Sequence, residues 1–431
     1  MSPNRPHILI ITTHDTGCLF GCYGVAEVHT PAIDRFAAES VQFDRCFTPY
    51  PQCSPSRASL YTGLYPQRHG VMGLAHEPFG YNPSDPTRHL SHVMAEAGYR
   101  TTLCGLQHEA TDPAILGYQA VHRERKPDHQ RYPAEDVADA ACAVLEGHAD
   151  DDRPMFISVG FKETHRPFDF GGVGPDTQHG LHIPSFLAGD DPVLRDQLAL
   201  HQGSIRKADA AVGRILDRLD TLGLTRYTLV VFTVDHGIDF PRAKHTLYRS
   251  GLQVPLIVRW PGGGIGAGRR TDRFVGNLDV FPTVVEAAGL NPPDDTDGRT
   301  LLPICRSADA PPVRSSLGTV YTPVDRRGML TERYNLIRNF APFFANSTPA
   351  RSTLPPGPSP CVPPVELYDL VSDPGEFHNL ANDPDHREVC RSLNDQIRDW
   401  LHATEDPILT GPTPSPAWHR AIGQMQESSA P

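Results

Sequence analysis

Short apolar runs rich in β-branched residues recur along much of the chain. The clearest occupy residues 8–12, 101–104, 155–159, 228–234 and 256–260. Each run has the length of a strand and is apolar at successive positions rather than at alternate ones, which is typical of strands buried on both faces. The runs therefore predict the strands of a largely parallel sheet.

The segments between these runs carry apolar residues at helical spacing. One such stripe covers residues 90–97, a longer one covers 205–219, and a third covers 279–288 and ends before Gly289. Strands that alternate with helices indicate crossover connections between parallel strands. We therefore expect an α/β domain over residues 1–310, in which helices flank a mostly parallel central sheet.

The pattern changes beyond about residue 310. Residues 317–321, 334–338 and 366–369 are short strand candidates, and an amphipathic helix is predicted over 386–402. These elements predict a smaller α+β domain over residues 311–431. Within it, residues 341–364 are rich in Pro and Ser and predict a loop or insertion.

Composition excludes several classes of partner. The net charge of −12 argues against nucleic acid, which is bound through a basic face. The apolar run at residues 7–12 is far too short to span a membrane. Nine cysteines without paired CxxC spacing indicate neither a disulfide framework nor a zinc ribbon, and they favour a reducing compartment. We expect a cytoplasmic protein without a membrane partner, and the oligomeric state stays open.

Candidate metal ligands follow two of the predicted strands. Asp15 comes after the first strand, and Asp235 and His236 come directly after residues 228–234. Because ligands in open α/β sheets bind beyond the carboxyl ends of the strands, we expect these side chains to share one rim. Two carboxylates favour Ca²⁺ or Mg²⁺, whereas an imidazole shifts the preference toward Mn²⁺ or Zn²⁺. His108 and His165 follow two further strands and are expected on the same rim.

The segment Cys53-Ser54-Pro55-Ser56-Arg57 predicts the start of a helix. Pro55 suits the first turn and Ser54 suits the N-cap position. Residue 53 would then face the unpaired N–H groups and the positive end of the helix dipole, where a sulfate or phosphate group binds favourably. Arg57 would lie one turn further along and offer donors to oxyanions. The alternative is a structural helix that carries a buried free cysteine.

The same pentapeptide, with the residues 58–63 that follow it, resembles the signature of the type I sulfatases in the alkaline-phosphatase-like superfamily. Residues 5–10, 21–24, 30–35 and 366–376 are also similar to that family. Residues 53–63, 73–76 and 235–248 resemble the heparan N-sulfatase branch. The resemblance implies an alkaline-phosphatase-like fold in which residues 1–310 form the catalytic domain.

The resemblance also implies a nucleophile and a metal site. In this family the signature cysteine, here Cys53, is oxidised by a maturation enzyme to formylglycine, and the hydrated aldehyde attacks sulfur. Arg57 would hold the hydrate. Asp15, Asp235 and His236, together with residue 53, would bind one divalent metal ion, which we expect to be Ca²⁺, with Mn²⁺ or Zn²⁺ as alternatives.

Three further residues receive roles from the resemblance. His165 matches a histidine that contacts the substrate and protonates the leaving group. Lys244 matches a cationic contact to sulfate. His108 matches the histidine that helps to break down the sulfated intermediate.

The chain departs from the family pattern at three positions. His14 stands where an aspartate is usual, which leaves its role as a metal ligand open. His236 stands where an asparagine is usual, and the pair that it forms with Asp235 also resembles phosphonate monoester hydrolases. Leu106 occupies the position of a usual lysine. The candidates for that missing cation, each of which also fits a solvated surface position, are Lys162, Arg166 and His69.

We therefore predict a formylglycine-dependent sulfatase that hydrolyses an O-sulfate ester or N-sulfamate on a sugar or another small organic molecule. The expected partners are a small anionic sulfated substrate and the maturation enzyme. One alternative is a phosphonate monoester or phosphodiester hydrolase with the same nucleophile. The other is a catalytically decayed protein that binds sulfoglycans.

Overall fold

The computed structural model describes residues 5–122, 132–147, 153–187, 191–341 and 362–427. A central sheet of eight strands has the order β4-β3-β5-β1-β6-β7-β2-β8. Its strands are β1 (His7–Thr13), β2 (Val41–Phe47), β3 (Arg100–Gly105), β4 (Ala120–His122), β5 (Met155–Gly160), β6 (Thr228–Val234), β7 (Gln253–Arg259) and β8 (Arg269–Gly276). Only β7 pairs antiparallel to its neighbours within this sheet, so the prediction of a mostly parallel sheet is confirmed.

Helices cover both faces of this sheet, as the alternating pattern predicted. The described helices of the chain are α1 (Pro31–Ala38), α2 (Cys53–Thr62), α3 (Pro66–His69), α4 (Leu90–Glu96), α5 (Ala134–Glu146), α6 (Pro192–Thr221), α7 (Arg249–Leu252), α8 (Val280–Ala287), α9 (Leu302–Arg306), α10 (Arg387–Ala403) and α11 (Pro416–Glu427). The last two belong to the C-terminal part of the chain.

Strand β1 lies at the centre of the sheet and packs on both faces. Ile8 and Ile10 belong to the core cluster that includes residues of α2, α4 and α8. Leu9 and Ile11 belong to the cluster on the opposite side, with residues of α1, α5 and α6. Because successive side chains of a strand point to opposite faces, a strand covered on both sides is apolar at every position. This burial explains the continuous apolar run at residues 8–12.

A second, smaller sheet forms in the C-terminal part of the chain. It contains β9 (Ser316–Tyr321), β10 (Arg326–Thr331), β11 (Tyr334–Asn339) and β12 (Val365–Asp369), all antiparallel, in the order β12-β11-β10-β9. Leu393, Ile397 and Leu401 of α10 pack against it. Most of the predicted Pro-rich insertion at 341–364 lies outside the described residues. Among the described helices, none is both long and apolar enough to cross a membrane.

Glu376 joins the small sheet to the segment that leads into α7. Its Oε1 accepts a 2.7 Å hydrogen bond from Nδ2 of Asn335, and its Oε2 accepts one of 2.6 Å from the backbone N–H of Arg249. Asn335 Nδ2 also donates to the carbonyl oxygen of Leu247 at 2.8 Å. Burial raises the pKa of Glu376 to about 7, although these donors act in the opposite direction. The folded protein therefore holds a proton that the unfolded chain releases at lower pH.

This proton makes stability depend on pH. Because the ordinary pKa of the group is 4.5, the free energy of unfolding should fall as the pH rises from about 4.5 to about 7, by roughly 3 kcal/mol for this group. The variant Glu376→Gln cannot titrate, so the stability difference from wild type should change across that interval. Urea unfolding at several pH values tests this, with the exposed Glu332→Gln as control. If the free energies of unfolding of wild type and Glu376→Gln changed with pH in parallel, this prediction would be contradicted.

Candidate active site

The loops that follow β1, β3, β5 and β6 meet at the N-terminus of α2. Ligand atoms of His14, Asp15, Cys53 and Asp235 all lie within 4.8 Å of one another, and all four residues are buried. Strands β5, β1 and β6 are adjacent and parallel, so their carboxyl ends lie at one edge of the sheet. The structure thus brings together residues that lie up to about 220 positions apart in sequence.

The carboxylate of Asp235 connects three parts of this site. Its Oδ1 accepts hydrogen bonds from the backbone N–H of Asp15 at 3.0 Å and from its neighbour His236 at 2.9 Å. Its Oδ2 lies 3.2 Å from Nε of Arg57 and 2.8 Å from Nδ1 of His14. Burial opposes ionisation, but His14, His236 and Arg57 together hold the pKa of Asp235 well below its usual range. The group is therefore a carboxylate with both oxygens engaged.

His236 is oriented with one nitrogen toward the cluster. Its Nδ1 lies 2.9 Å from the carbonyl oxygen of Gly237, which fixes the proton on that nitrogen. Its Nε2 lies 3.3 Å from Sγ of Cys53 and 3.2 Å from Oδ1 of Asp15. An imidazole whose far nitrogen donates to a carbonyl is the usual arrangement of a metal-binding histidine.

Several polar atoms of the cluster make no hydrogen bond with the described residues. Oδ1 of Asp15 and Nε2 of His14 are both buried. Buried polar atoms are nearly always hydrogen-bonded or bound to an ion, because leaving them unpaired costs free energy. Burial opposes ionisation of Asp15, but Lys244 and the nearby imidazoles hold its pKa well below the usual range. Two carboxylates and two imidazoles around these atoms suit a divalent cation.

Helix α2 carries Cys53 and Arg57 on its first turns. The helix begins at Cys53, and its N-cap residue is Gln52, so the prediction of Ser54 as the N-cap is wrong. The hydroxyl of Ser54 instead accepts a 3.0 Å hydrogen bond from the backbone N–H of Ala75, and it holds the loop over residues 73–82 against the helix. Arg57 is 1% exposed and also donates from Nη2 to the carbonyl oxygen of Thr13 at 3.1 Å.

The thiol of Cys53 is a poor nucleophile in this environment. Burial is the largest influence and raises the pKa of the thiol, and the carboxylates of Asp235 and Asp15 raise it further. Lys244 and Arg57 act in the opposite direction but do not compensate. With its pKa raised, the thiol of an unmodified Cys53 stays protonated at neutral pH. It is therefore unreactive, because the thiolate is the reactive form of cysteine.

The other predicted site residues lie at the same edge of the sheet. The ring centroids of His108 and His165 are each 5.3 Å from that of His14. Nδ1 of His165 lies 2.6 Å from the carbonyl oxygen of Arg166, so Nε2 is the nitrogen free to act. Nζ of Lys244 donates to Oδ2 of Asp15 at 2.7 Å.

Sequence reasoning missed two members of this site. Glu109 is buried, and its Oε2 accepts a 2.8 Å hydrogen bond from the backbone N–H of His108. Burial raises the pKa of Glu109, although the charge of Arg57 opposes the shift. The hydroxyl of Thr164 contacts that of Thr16 at 2.6 Å and also bonds the carbonyl oxygen of His14. The position of Glu109 next to His108 after a strand was the available signal.

Known proteins are similar to this chain over most of its length. The sulfatase family model matches residues 6–290, and a model of the C-terminal region of N-sulphoglucosamine sulphohydrolase matches residues 240–343. Human N-sulphoglucosamine sulphohydrolase is 27% identical over 467 residues, which covers 95% of this chain and 92% of that protein.

Two solved structures share the fold at lower identity. The phosphonate monoester hydrolase of Agrobacterium radiobacter superposes with a TM-score of 0.71 at 21% identity, covering 93% of this chain and 96% of that chain. A protein solved in complex with its substrate D-glucosamine-2-N,6-O-disulfate gives 0.73 at 18% identity, covering 93% and 98%. Since the family model spans most of the sequence, the chain belongs to the sulfatase family and is a sulfuric ester hydrolase.

Proposed function

We propose that this protein is a formylglycine-dependent sulfatase that cleaves an O-sulfate ester or N-sulfamate on a sugar. The observation that carries the proposal is the position of Cys53, which begins α2 and lies buried among Asp15, Asp235 and two imidazoles. The free N–H groups in the first turn of α2, together with a cation bound next to it, would favour a tetrahedral anion at residue 53.

The sugar part of the proposal rests on what related proteins act on. The C-terminal model and the human relative are both named for N-sulphoglucosamine hydrolysis, and one structural neighbour was solved with a glucosamine disulfate substrate. The sulfate group of an amino sugar is an anion, and it would bind at a site where positive charge is concentrated, although the protein as a whole has a net charge of −12.

The nucleophile requires a change at Cys53. The raised pKa of the thiol argues against direct thiolate attack. Once oxidised by a maturation enzyme to formylglycine, residue 53 supplies a hydrated aldehyde whose oxygen attacks sulfur. Arg57, held by Asp235 and by the carbonyl oxygen of Thr13, keeps a fixed positive charge one turn away.

Asp15, Asp235, His236 and His14 would hold one divalent cation together with residue 53. When bound, this cation lowers the pKa of a coordinated hydroxyl group and polarises sulfate oxygens. The carboxylates suit Ca²⁺ and the imidazoles suit Mn²⁺ or Zn²⁺.

His165 and His108 would serve the two halves of the reaction. As the S–O or S–N bond breaks, the departing alcohol or amine needs a proton, and Nε2 of His165 is free to carry one. Burial holds the pKa of His165 well below its ordinary value, and the negative charge of a bound sulfate would favour its protonation. His108 would accept a proton during sulfate release.

Hydrolysis of a phosphonate monoester or phosphodiester is the second candidate function. The pair Asp235 and His236 favours it, since His236 stands where most sulfatases carry asparagine. Rates on an aryl sulfate and an aryl phosphonate ester of the same phenol separate the two functions. A large preference for the phosphonate would replace the first proposal with the second.

Residue 53 should carry an aldehyde in the active protein. A peptide mass for residue 53 should match formylglycine rather than cysteine in protein produced with a maturation enzyme. Cys53→Ala should lower turnover by at least about 10³-fold with an unchanged melting temperature. The buried Cys104→Ala serves as the matched control and should stay active. Turnover that survives in Cys53→Ala would exclude this nucleophile.

Metal binding should stabilise the protein. After treatment with EDTA, addition of the preferred ion at one hundred times its Kd should raise the free energy of unfolding by about 2.7 kcal/mol. Thermal melting with Ca²⁺, Mn²⁺ and Zn²⁺ in turn would rank the three ions. The shift should vanish in Asp15→Asn and persist in Asp217→Asn, a surface carboxylate paired with Arg35. An equal shift in both variants would place the ion elsewhere.

The role of His165 predicts a dependence on the leaving group. His165→Ala should slow hydrolysis of a sulfated sugar by roughly 10²- to 10³-fold but that of p-nitrophenyl sulfate by less than about 10-fold, because nitrophenolate leaves without a proton. His108→Ala should slow both substrates by the same factor, since it acts after the leaving group has departed. Equal losses for the two substrates in His165→Ala would contradict the assignment.

A further inference from the structure

Lys162 is a cation of the active site without an acceptor among the described residues. The chain contains four lysines, Lys126, Lys162, Lys207 and Lys244, and two of them lie at this site. Lys244 is bonded to Asp15 and lies 3.7 Å from Oδ2 of Asp239. Lys162, in contrast, makes no hydrogen bond or ion pair within the described part of the chain. A partly buried ammonium group in this state is available to bind an anion from solution.

The backbone fixes where Lys162 lies. It follows β5 by two residues, and β5 runs between β1, which leads to Asp15, and β3, which leads to His108. The backbone N–H of Phe161 donates to the carbonyl oxygen of Thr12 at 2.9 Å, and that of His165 donates to the carbonyl oxygen of Lys162 at 2.9 Å. The lysine therefore belongs to the same turn as His165, at the edge of the sheet where the site forms.

The charge of Lys162 acts on the reacting part of the site. Burial lowers the pKa of Lys162, whereas Cys53, Asp15 and Asp235 act to raise it. Its charge also acts on His76, His108 and His165. The ammonium group therefore lies close enough to Cys53, Asp15 and Asp235 to interact electrostatically with them.

The two other candidate cations are fixed in place. Arg166 donates to the carbonyl oxygen of Asp239 at 3.0 and 3.2 Å and to Oε1 of Gln197 at 2.6 Å, and its guanidinium stacks on Phe168. His69 is 3% exposed, and its Nε2 lies 3.0 Å from Oγ of Ser59.

Burial also lowers the pKa of His69 to about 3, so the ring is neutral. Each guanidinium nitrogen of Arg166 already donates to a protein acceptor, and the neutral ring of His69 offers no positive charge, so both are poorer partners for sulfate than Lys162. We propose that Lys162 binds the sulfate group of the substrate and supplies the positive charge of the lysine that Leu106 replaces. The inference deepens the proposed function and rests on it.

The geometry explains how a neighbouring strand can supply this charge. Gly105 pairs with Gly160 in the register of β3 and β5, and the backbone N–H of Leu106 donates to the carbonyl oxygen of Gly160 at 2.8 Å. A Cβ atom on Gly160 would lie 1.9 Å from the carbonyl oxygen of Leu106. The two loops therefore leave adjacent strands side by side, about 4.8 Å apart. A cation on either loop can reach the same anion.

The test compares Lys162→Met with wild type in the metal-loaded protein. Calorimetric titration with inorganic sulfate should show affinity at least about 10-fold weaker in the variant, and kcat/KM for an aryl sulfate should fall by roughly 10²-fold. The affinity for Mn²⁺ should stay equal or increase, because a positive charge near the cation has been removed. Lys207→Met, which removes a lysine bonded to Gly171 outside the site, should match wild type.

A second variant restores the charge from the neighbouring loop. Leu106→Lys combined with Lys162→Met should recover at least about 10-fold of the lost sulfate affinity. Three outcomes would each overturn the proposal. The first is an unchanged sulfate affinity in Lys162→Met, and the second is a double variant that binds sulfate no better than the single variant. The third is a parallel loss of sulfate affinity, metal affinity and melting temperature in Lys162→Met. Sulfate binding needs no turnover, so a failure of the proposed function, seen as wild-type protein inactive on sulfate esters, is recognised separately.

Discussion

The buried carboxylate of Asp235 is the constraint on which the site depends. One oxygen accepts backbone N–H groups from the ends of β1 and β6, and the other faces Arg57 of α2 and the ring of His14. Removing any one partner would leave charge or a donor unpaired in the interior, which costs several kcal/mol. The position of α2, which carries Cys53, and the positions of the candidate metal ligands that follow β1 and β6 are therefore set together. This coupling explains how residues far apart in sequence form one compact cluster.

Charge pairing inside the site decides what it can bind. Arg57 and Lys244 are each held by a carboxylate, and these same carboxylates offer oxygens to a cation. With a divalent ion present, positive charge exceeds negative charge around residue 53, and Lys162 adds to the excess. A sulfate group restores the balance. A protein of net charge −12 can thus attract an anionic substrate, because the relevant field is local and the residues that produce it are buried.

Much of this architecture could be predicted because a buried parallel strand appears in the sequence as a continuous apolar run, and the polar residues of the site follow directly after such runs. Runs such as 228–234 are apolar throughout, and polar residues follow them at once. Strands β2, β4, β8 and β10 were not predicted. Strands β8 and β10 contain arginines: β10 begins with Arg326 and Arg327, and buried Arg327 is paired with Asp406, far away in sequence. The choice of Lys162 over Arg166 was equally hidden, since it depends on contacts of Arg166 with Gln197 and Asp239.

The most direct test of the account is a crystal structure of the matured protein with Mn²⁺, using the anomalous signal of the metal. We predict one strong anomalous peak at bonding distance from carboxylate oxygens of Asp15 and Asp235, with an oxygen of a hydrated aldehyde on residue 53 facing it. A peak at any other place, or a cysteine thiol at residue 53 in a protein that hydrolyses sulfate esters, would contradict the account.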